Sequence, residues 1–257
     1  MIDTTLLLWA FFTGLISALA TGLGAPLVSV LPLESEIVRS ATSALAAGMM
    51  ISASVFSLTQ EGIEMQETVY LALPKVIVGL LLGTLVLWLL STKFDGDDDD
   101  EHPFGELDLS SSSLMLFVAL LIHSSPEGIA IGVGFATGDM NFGVVMATAI
   151  SIHNIPEGIA MSLPMRAEGE SLLKCTLVSI LTSVPQPLFA VPAALAFQYF
   201  QPWLPVGLGF AGGAMIYVVM VELIPDALES GSRPLAAWGV MIGLTLMLSL
   251  SVFLPGS

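Results

Sequence analysis

The chain has 257 residues, of which 55% are hydrophobic and only 11% charged, with a mean hydropathy of +0.90. Its 22 Asp and Glu against 6 Lys and Arg leave a formal charge of −16. A soluble domain devotes about a quarter of its residues to charge, so a water-soluble globule is excluded, and so is a nucleic-acid binder, which needs clustered cations.

Taken in chain order, eight stretches reach the roughly 20 apolar residues that a helix needs to cross a hydrocarbon core of about 30 Å. The first three run over 5–31, 37–60 and 69–91. No basic residue precedes the first, and it is too long for a signal-peptide core, so it reads as a span. Glu61, Glu64 and Glu67 follow the second. The connection 92–112 comes next and holds Lys93-Phe94-Asp95-Gly96-Asp97-Asp98-Asp99-Asp100-Glu101-His102, then Glu106 and Asp108. Eight of the acids lie there. A solvated, disordered loop is the plain reading; a weak collecting site for cations is the sharper one, with His102 its only residue suited to a transition metal. Spans 113–137 and 142–164 are joined by the turn Gly138-Asp139-Met140-Asn141, and spans 172–200, 204–224 and 235–254 complete the chain. The expectation is an all-α integral membrane protein whose single transmembrane domain covers 1–257.

Arg39, Lys93, Arg166, Lys174 and Arg233 all fall at alternate connections, and Lys75 is the exception. Positive charge marks the cytoplasmic side, which places both termini outside and the acidic loop inside. The single cysteine, Cys175, excludes an internal disulfide framework and a multi-cysteine metal site.

Two segments repeat each other at a spacing of 30. They are His123-Ser124-Ser125-Pro126-Glu127-Gly128 and His153-Asn154-Ile155-Pro156-Glu157-Gly158. Each lies inside a span, and the short turn makes the two spans antiparallel, so the motif enters the membrane from opposite directions, as in an inverted repeat with a midplane site. His and Glu at i and i+4 share one helical face. Proline at i+3 donates no backbone hydrogen bond, which predicts kinks in spans 4 and 5 and leaves the carbonyls of Ile122 and Ile152 seeking other partners. Glycine at i+5 permits close backbone approach. A buried carboxylate costs about 2.5–3.5 kcal/mol even on the lenient insertion scale, so two of them, each one turn from an imidazole, are poorly explained by packing. His123, Glu127, His153 and Glu157 form a sensible ligand set for a divalent transition metal.

The paired H-x-x-P-E-G motifs resemble the fourth and fifth helices of the ZIP (Zrt-, Irt-like) metal transporters, and the chain as a whole resembles the prokaryotic GufA-like branch. That resemblance implies eight spans, both termini outside, a variable cytoplasmic loop between spans 3 and 4, and one metal site made by His123, Glu127, His153 and Glu157. It further implies an adjacent second site of Ser124, Asn154 and Gln186 bridged by the two glutamates. Two positions depart from the family pattern: Ser124 stands where Asn is usual, and Gln186, in Thr182-Ser183-Val184-Pro185-Gln186-Pro187, replaces a carboxylate. A neutral amide brings no charge, so the second site is expected to be weak or empty. Glu222 and Asp226, near the end of span 7, resemble a stretch beside the family's metal path, and Pro225 loosens the helix there.

The remaining polar and soft residues carry less. Glu61, Glu64, Glu67 and Asp139 could concentrate cations at the outer face, although surface solvation explains them more simply. The 13 Met, among them Met49, Met50, Met161, Met165, Met215 and Met220, read as packing residues rather than soft-metal ligands. Ala44, Ala46, Ala47 and Gly48 read as close helix contacts.

The function expected is secondary transport of a divalent transition-metal ion into the cytoplasm across the plasma membrane. Zinc leads, with iron, manganese, cobalt and cadmium open, and no separate cofactor is needed. The partners are these ions and the bilayer, with a homodimer open. In an elevator-type movement the hairpin of spans 4 and 5 carries the ion past more static helices. The alternative, an intramembrane metal-dependent hydrolase, lacks an HExxH motif and a spare general base. The tetra-Asp run and only three Lys also resemble proteins of salt-loving prokaryotes.

Overall fold

The computed structural model describes residues 4–30, 36–66, 68–94 and 109–253, so the acidic run 95–108 and Glu67 lie outside the described residues. Eight helices among them are long and apolar enough to cross a membrane. Spans 1 to 4 are Thr4–Val28, Glu36–Glu64, Val69–Leu89 and Leu116–Ala136; spans 5 to 8 are Met140–Ala167, Leu172–Tyr199, Gln201–Glu229 and Arg233–Leu250. Most ends fall within a few residues of the expected ones. Span 2 reaches Glu64 and span 7 reaches Glu229, which brings Glu61 and Asp226 into terminal turns and leaves Glu222 about two turns inside span 7.

The spans are not uniform rods. Span 1 breaks after Thr21 and resumes at Gly24, and span 6 breaks after Thr182 and resumes at Pro185. Spans 2 and 7 each contain a widened π-helical turn, Ala53–Thr59 and Val219–Leu223. Spans 4 and 5, in contrast, keep an uninterrupted helical run through Pro126 and Pro156. The turn between them uses Gly138 at φ +86°, a backbone region that favours glycine. Asp139 then caps span 5, accepting from the backbone N–H groups of Asn141 at 2.8 Å and Phe142 at 3.3 Å.

The breaks and turns come in pairs, and so does the packing. Span 3 lies along span 7, span 2 along span 8, span 4 along span 6, and span 1 along span 5. Exchanging 1 with 6, 2 with 7, 3 with 8 and 4 with 5 maps this pattern onto itself. Each exchanged pair is an odd number of spans apart and therefore runs in opposite directions, which makes the fold an inverted repeat. Spans 1, 4, 5 and 6 form one four-helix group and spans 2, 3, 7 and 8 the other; spans 7 and 4, and 2 and 5, join the two. Small residues let backbones touch within each group. A Cβ on Gly83 of span 3 would lie 2.0 Å from the Phe210 carbonyl of span 7, and one on Gly48 of span 2 would lie 2.0 Å from the Val240 carbonyl of span 8.

Candidate metal centre

The two motif helices meet at their polar faces. His123, Ser124, Glu127, His153, Asn154, Glu157 and Gln186 are at most 2% exposed, and all lie in the group of spans 1, 4, 5 and 6. Their approach depends on the motif glycines. A Cβ on Gly128 would stand 2.5 Å from the Gln186 carbonyl of span 6, and one on Gly158 would stand 1.8 Å from the Thr21 carbonyl of span 1. Any side chain at either position would push the helices apart. The breaks in spans 1 and 6 fall at these same contacts, where Thr21 and Ser183 hydroxyls are 2.7 Å apart.

At the centre, His153 Nε2–H donates to Glu127 Oε1 at 2.7 Å. His123 Nε2 lies 2.9 Å from Glu157 Oε1 without hydrogen-bond alignment, and 3.5 Å from Glu127 Oε1. The i, i+4 pairing expected within span 4 is thus looser than the contacts crossing between spans 4 and 5. Ligand atoms of His123, Glu127 and Glu157 lie within 4.8 Å of one another, close enough to share one ion. His153 stands beside that trio, joined to it through Glu127. Both imidazole Nδ1 atoms are without a hydrogen-bond partner among the described residues.

A second layer adjoins the first. Gln186 Nε2–H donates to Glu127 Oε2 at 2.6 Å, and Asn154 Nδ2–H donates to Gln186 Oε1 at 3.2 Å. Asn154 Nδ2 is also 2.9 Å from the Ser17 carbonyl and 3.1 Å from the Ser17 hydroxyl, which ties the layer to span 1. Asn154 Oδ1 and Ser124 Oγ are buried without a hydrogen-bond partner.

Two neighbours escaped the sequence reading. Met50, read as packing, is fully buried, yet its Sδ is 3.2 Å from His123 Nε2, so a soft thioether from span 2 reaches across from the other helix group. Nothing in the local sequence separates it from Met49. Ser17 was equally invisible, one hydroxyl in an apolar stretch. Asp226, Glu64 and Asp139 are engaged by other groups. Asp226 is engaged from span 2 by the Arg39 guanidinium and the Ser43 hydroxyl, while the Ser40 hydroxyl donates to the Ala227 carbonyl at 2.7 Å. Glu222 is half-buried within the π turn of span 7. Glu64 is exposed and accepts from Gln60, and Asp139 is occupied as a helix cap.

An inverted bundle of eight membrane-length helices, sealed around a His–carboxylate cluster, defines a multi-pass membrane protein with a polar centre on its repeat axis. The family model described as ZIP zinc transporter matches residues 91–251. The chain is 35% identical over 249 residues to the zinc transporter GufA of Myxococcus xanthus, covering 93% of this chain and 96% of that protein. It is 34% identical over 251 residues to the zinc transporter ZIPB of Bordetella bronchiseptica, covering 96% and 81%. A longer Arabidopsis thaliana relative is 36% identical over 251 residues, and the chain spans 38% of its length. The chain belongs to the ZIP family. Membership in a family of transporters leaves no support for the hydrolase alternative.

Proposed function

We propose that this protein carries divalent transition-metal ions, zinc foremost, across the plasma membrane into the cytoplasm. The observation that carries the reading is the convergence of His123, Glu127 and Glu157 within 4.8 Å of one another, fully buried, on two antiparallel motif helices. Two carboxylates in a low-dielectric interior are costly alone and favourable around a dication. His153 completes the ligand set, with Met50 beside it, and the names of GufA and ZIPB supply zinc as the leading cargo.

The ion site rides on spans 1, 4, 5 and 6, and movement of that group against spans 2, 3, 7 and 8 carries it from access on one side to access on the other. Glu222 lines the route beyond the site. The distribution of Lys and Arg sets both termini outside; a C-terminal reporter active only on the cytoplasmic side would reverse that orientation.

Purified protein in proteoliposomes tests the reading. Uptake of Zn2+ into vesicles is expected to fall to the protein-free level with Glu127→Ala and with Glu157→Ala. Undiminished uptake in both variants defeats it. Competition by Fe2+, Mn2+ and Cd2+ at two pH values then ranks the cargo and detects the protons that metal binding displaces.

A further inference from the structure

Gln186 follows Pro185 in the first turn after the break in span 6, and its side chain is completely buried. The orientation of its amide is forced by its neighbours. A carboxylate only accepts, so the NH2 end must face Glu127 Oε2; Asn154 Nδ2 is a donor anchored on the Ser17 carbonyl, so the oxygen end must face Asn154. Reversing the amide would set oxygen against oxygen on one side and donor against donor on the other.

This arrangement divides the work of Glu127. Its Oε1 faces the imidazoles and the shared ion position; its Oε2 is held by the amide at 2.6 Å. A cation seeking Oε2 from the second layer would meet the positive end of the Gln186 dipole in place of a free lone pair. Asn154 Oδ1 and Ser124 Oγ are still available on that side, but both are neutral. Formal charge points the same way. Two glutamates balance one dication, and a second would leave the buried centre with an uncompensated charge of two, which a low-dielectric interior resists.

Resting on the metal-carrier reading above, we infer that Gln186 sets the capacity of the centre at one divalent ion by placing a fixed amide donor where a second ion would sit. Gln186 is a positioning residue: it holds Glu127 and Asn154 and supplies no charge. Restoring a carboxylate with Gln186→Glu exchanges the donor for an acceptor and adds the missing negative charge, which opens the second position.

The test is ion stoichiometry. Protein in detergent is dialysed against Zn2+ or Cd2+ alone, and bound metal is counted by mass spectrometry against protein. Wild type is expected to saturate at one ion and Gln186→Glu at two, a doubling that a purely structural role for Gln186 would not produce. Two ions on wild type overturn the inference. So does one ion on Gln186→Glu with a monodisperse elution profile and a wild-type first-ion affinity. Should Gln186→Glu not fold, Gln186→Asp takes its place, because it likewise exchanges the amide donor for a charged acceptor; two ions are expected there, and one ion on a monodisperse Gln186→Asp with wild-type first-ion affinity overturns the inference. Failure of the carrier reading itself has a different signature: no ion bound to wild type, or binding unaffected by Glu127→Ala.

Discussion

At the scale of single residues, the centre depends on what is missing as much as on what is present. Gly128 and Gly158 are part of the motif because two carbonyls, of Gln186 and Thr21, occupy the space of their side chains. Gly158→Ala is expected to destabilise the protein by about 1–3 kcal/mol through overpacking, read as a lower midpoint of thermal unfolding in detergent. Gly134→Ala is the control, since its Cβ would meet nothing closer than 3.5 Å and should leave the midpoint in place. Equal midpoints for the two would remove the close approach as the reason for the motif glycine. The residues of the His–carboxylate cluster were legible because each breaks a strong rule: an ionisable group inside an apolar span needs a partner. Met50 and Ser17 break no rule. A thioether and a hydroxyl are common in spans, and only the packing of span 2 against span 5 gives one of them a place beside the imidazole of His123.

At the scale of elements, spans were readable because hydrocarbon thickness fixes a minimum length, and hydropathy records it directly. Their interruptions were legible in part. Pro126 and Pro156 sit within continuous helical runs, whereas the breaks after Thr21 and Thr182 come just before Pro26 and Pro185, and the widened turn 219–223 comes just before Pro225, where loosening was expected. The widened turn 53–59 contains no proline; buried helix backbone can open where a hydroxyl satisfies it, and there the Thr59 hydroxyl donates to the Ser54 carbonyl at 2.7 Å. The terminal turns of spans 2 and 7 are joined instead by charge. Asp226→Asn removes the partner of Arg39, whose side chain is 50% exposed, so the expected loss of stability is about 0.5–1 kcal/mol and no more. Unfolding midpoint and Zn2+ uptake measured together separate two roles: a small fall in midpoint with uptake retained marks a tie between helices, and abolished uptake marks a residue on the ion route.

At the scale of the whole molecule, the boundary between the two four-helix groups is where the proposed movement would occur. An apolar crevice of about 320 Å3 lies on it, with Ile129, Phe189 and Phe197 on one side and Val206 and Phe210 on the other. Phe197 rests on Gly207, where a Cβ would come within 2.3 Å of the ring. Gly207→Leu is expected to wedge this boundary, lowering uptake by about tenfold while the count of bound Zn2+ is unchanged; uptake at the wild-type rate would place the moving surface elsewhere. The inverted repeat has one more consequence. Exchange of the two halves turns Asp226, three residues from the end of span 7, into Glu61, three from the end of span 2, and turns Arg39 into Leu204. Among the described residues no ion pair joins that opposite end, so the two faces of the carrier are alike in architecture and unequal in energy. Spans 2 and 7 belong to the same four-helix group, so the Arg39–Asp226 pair travels intact and contributes about 0.5–1 kcal/mol equally to both alternating states. Raised ionic strength, like Asp226→Asn, should therefore lower the unfolding midpoint slightly and leave the balance between the two faces unchanged.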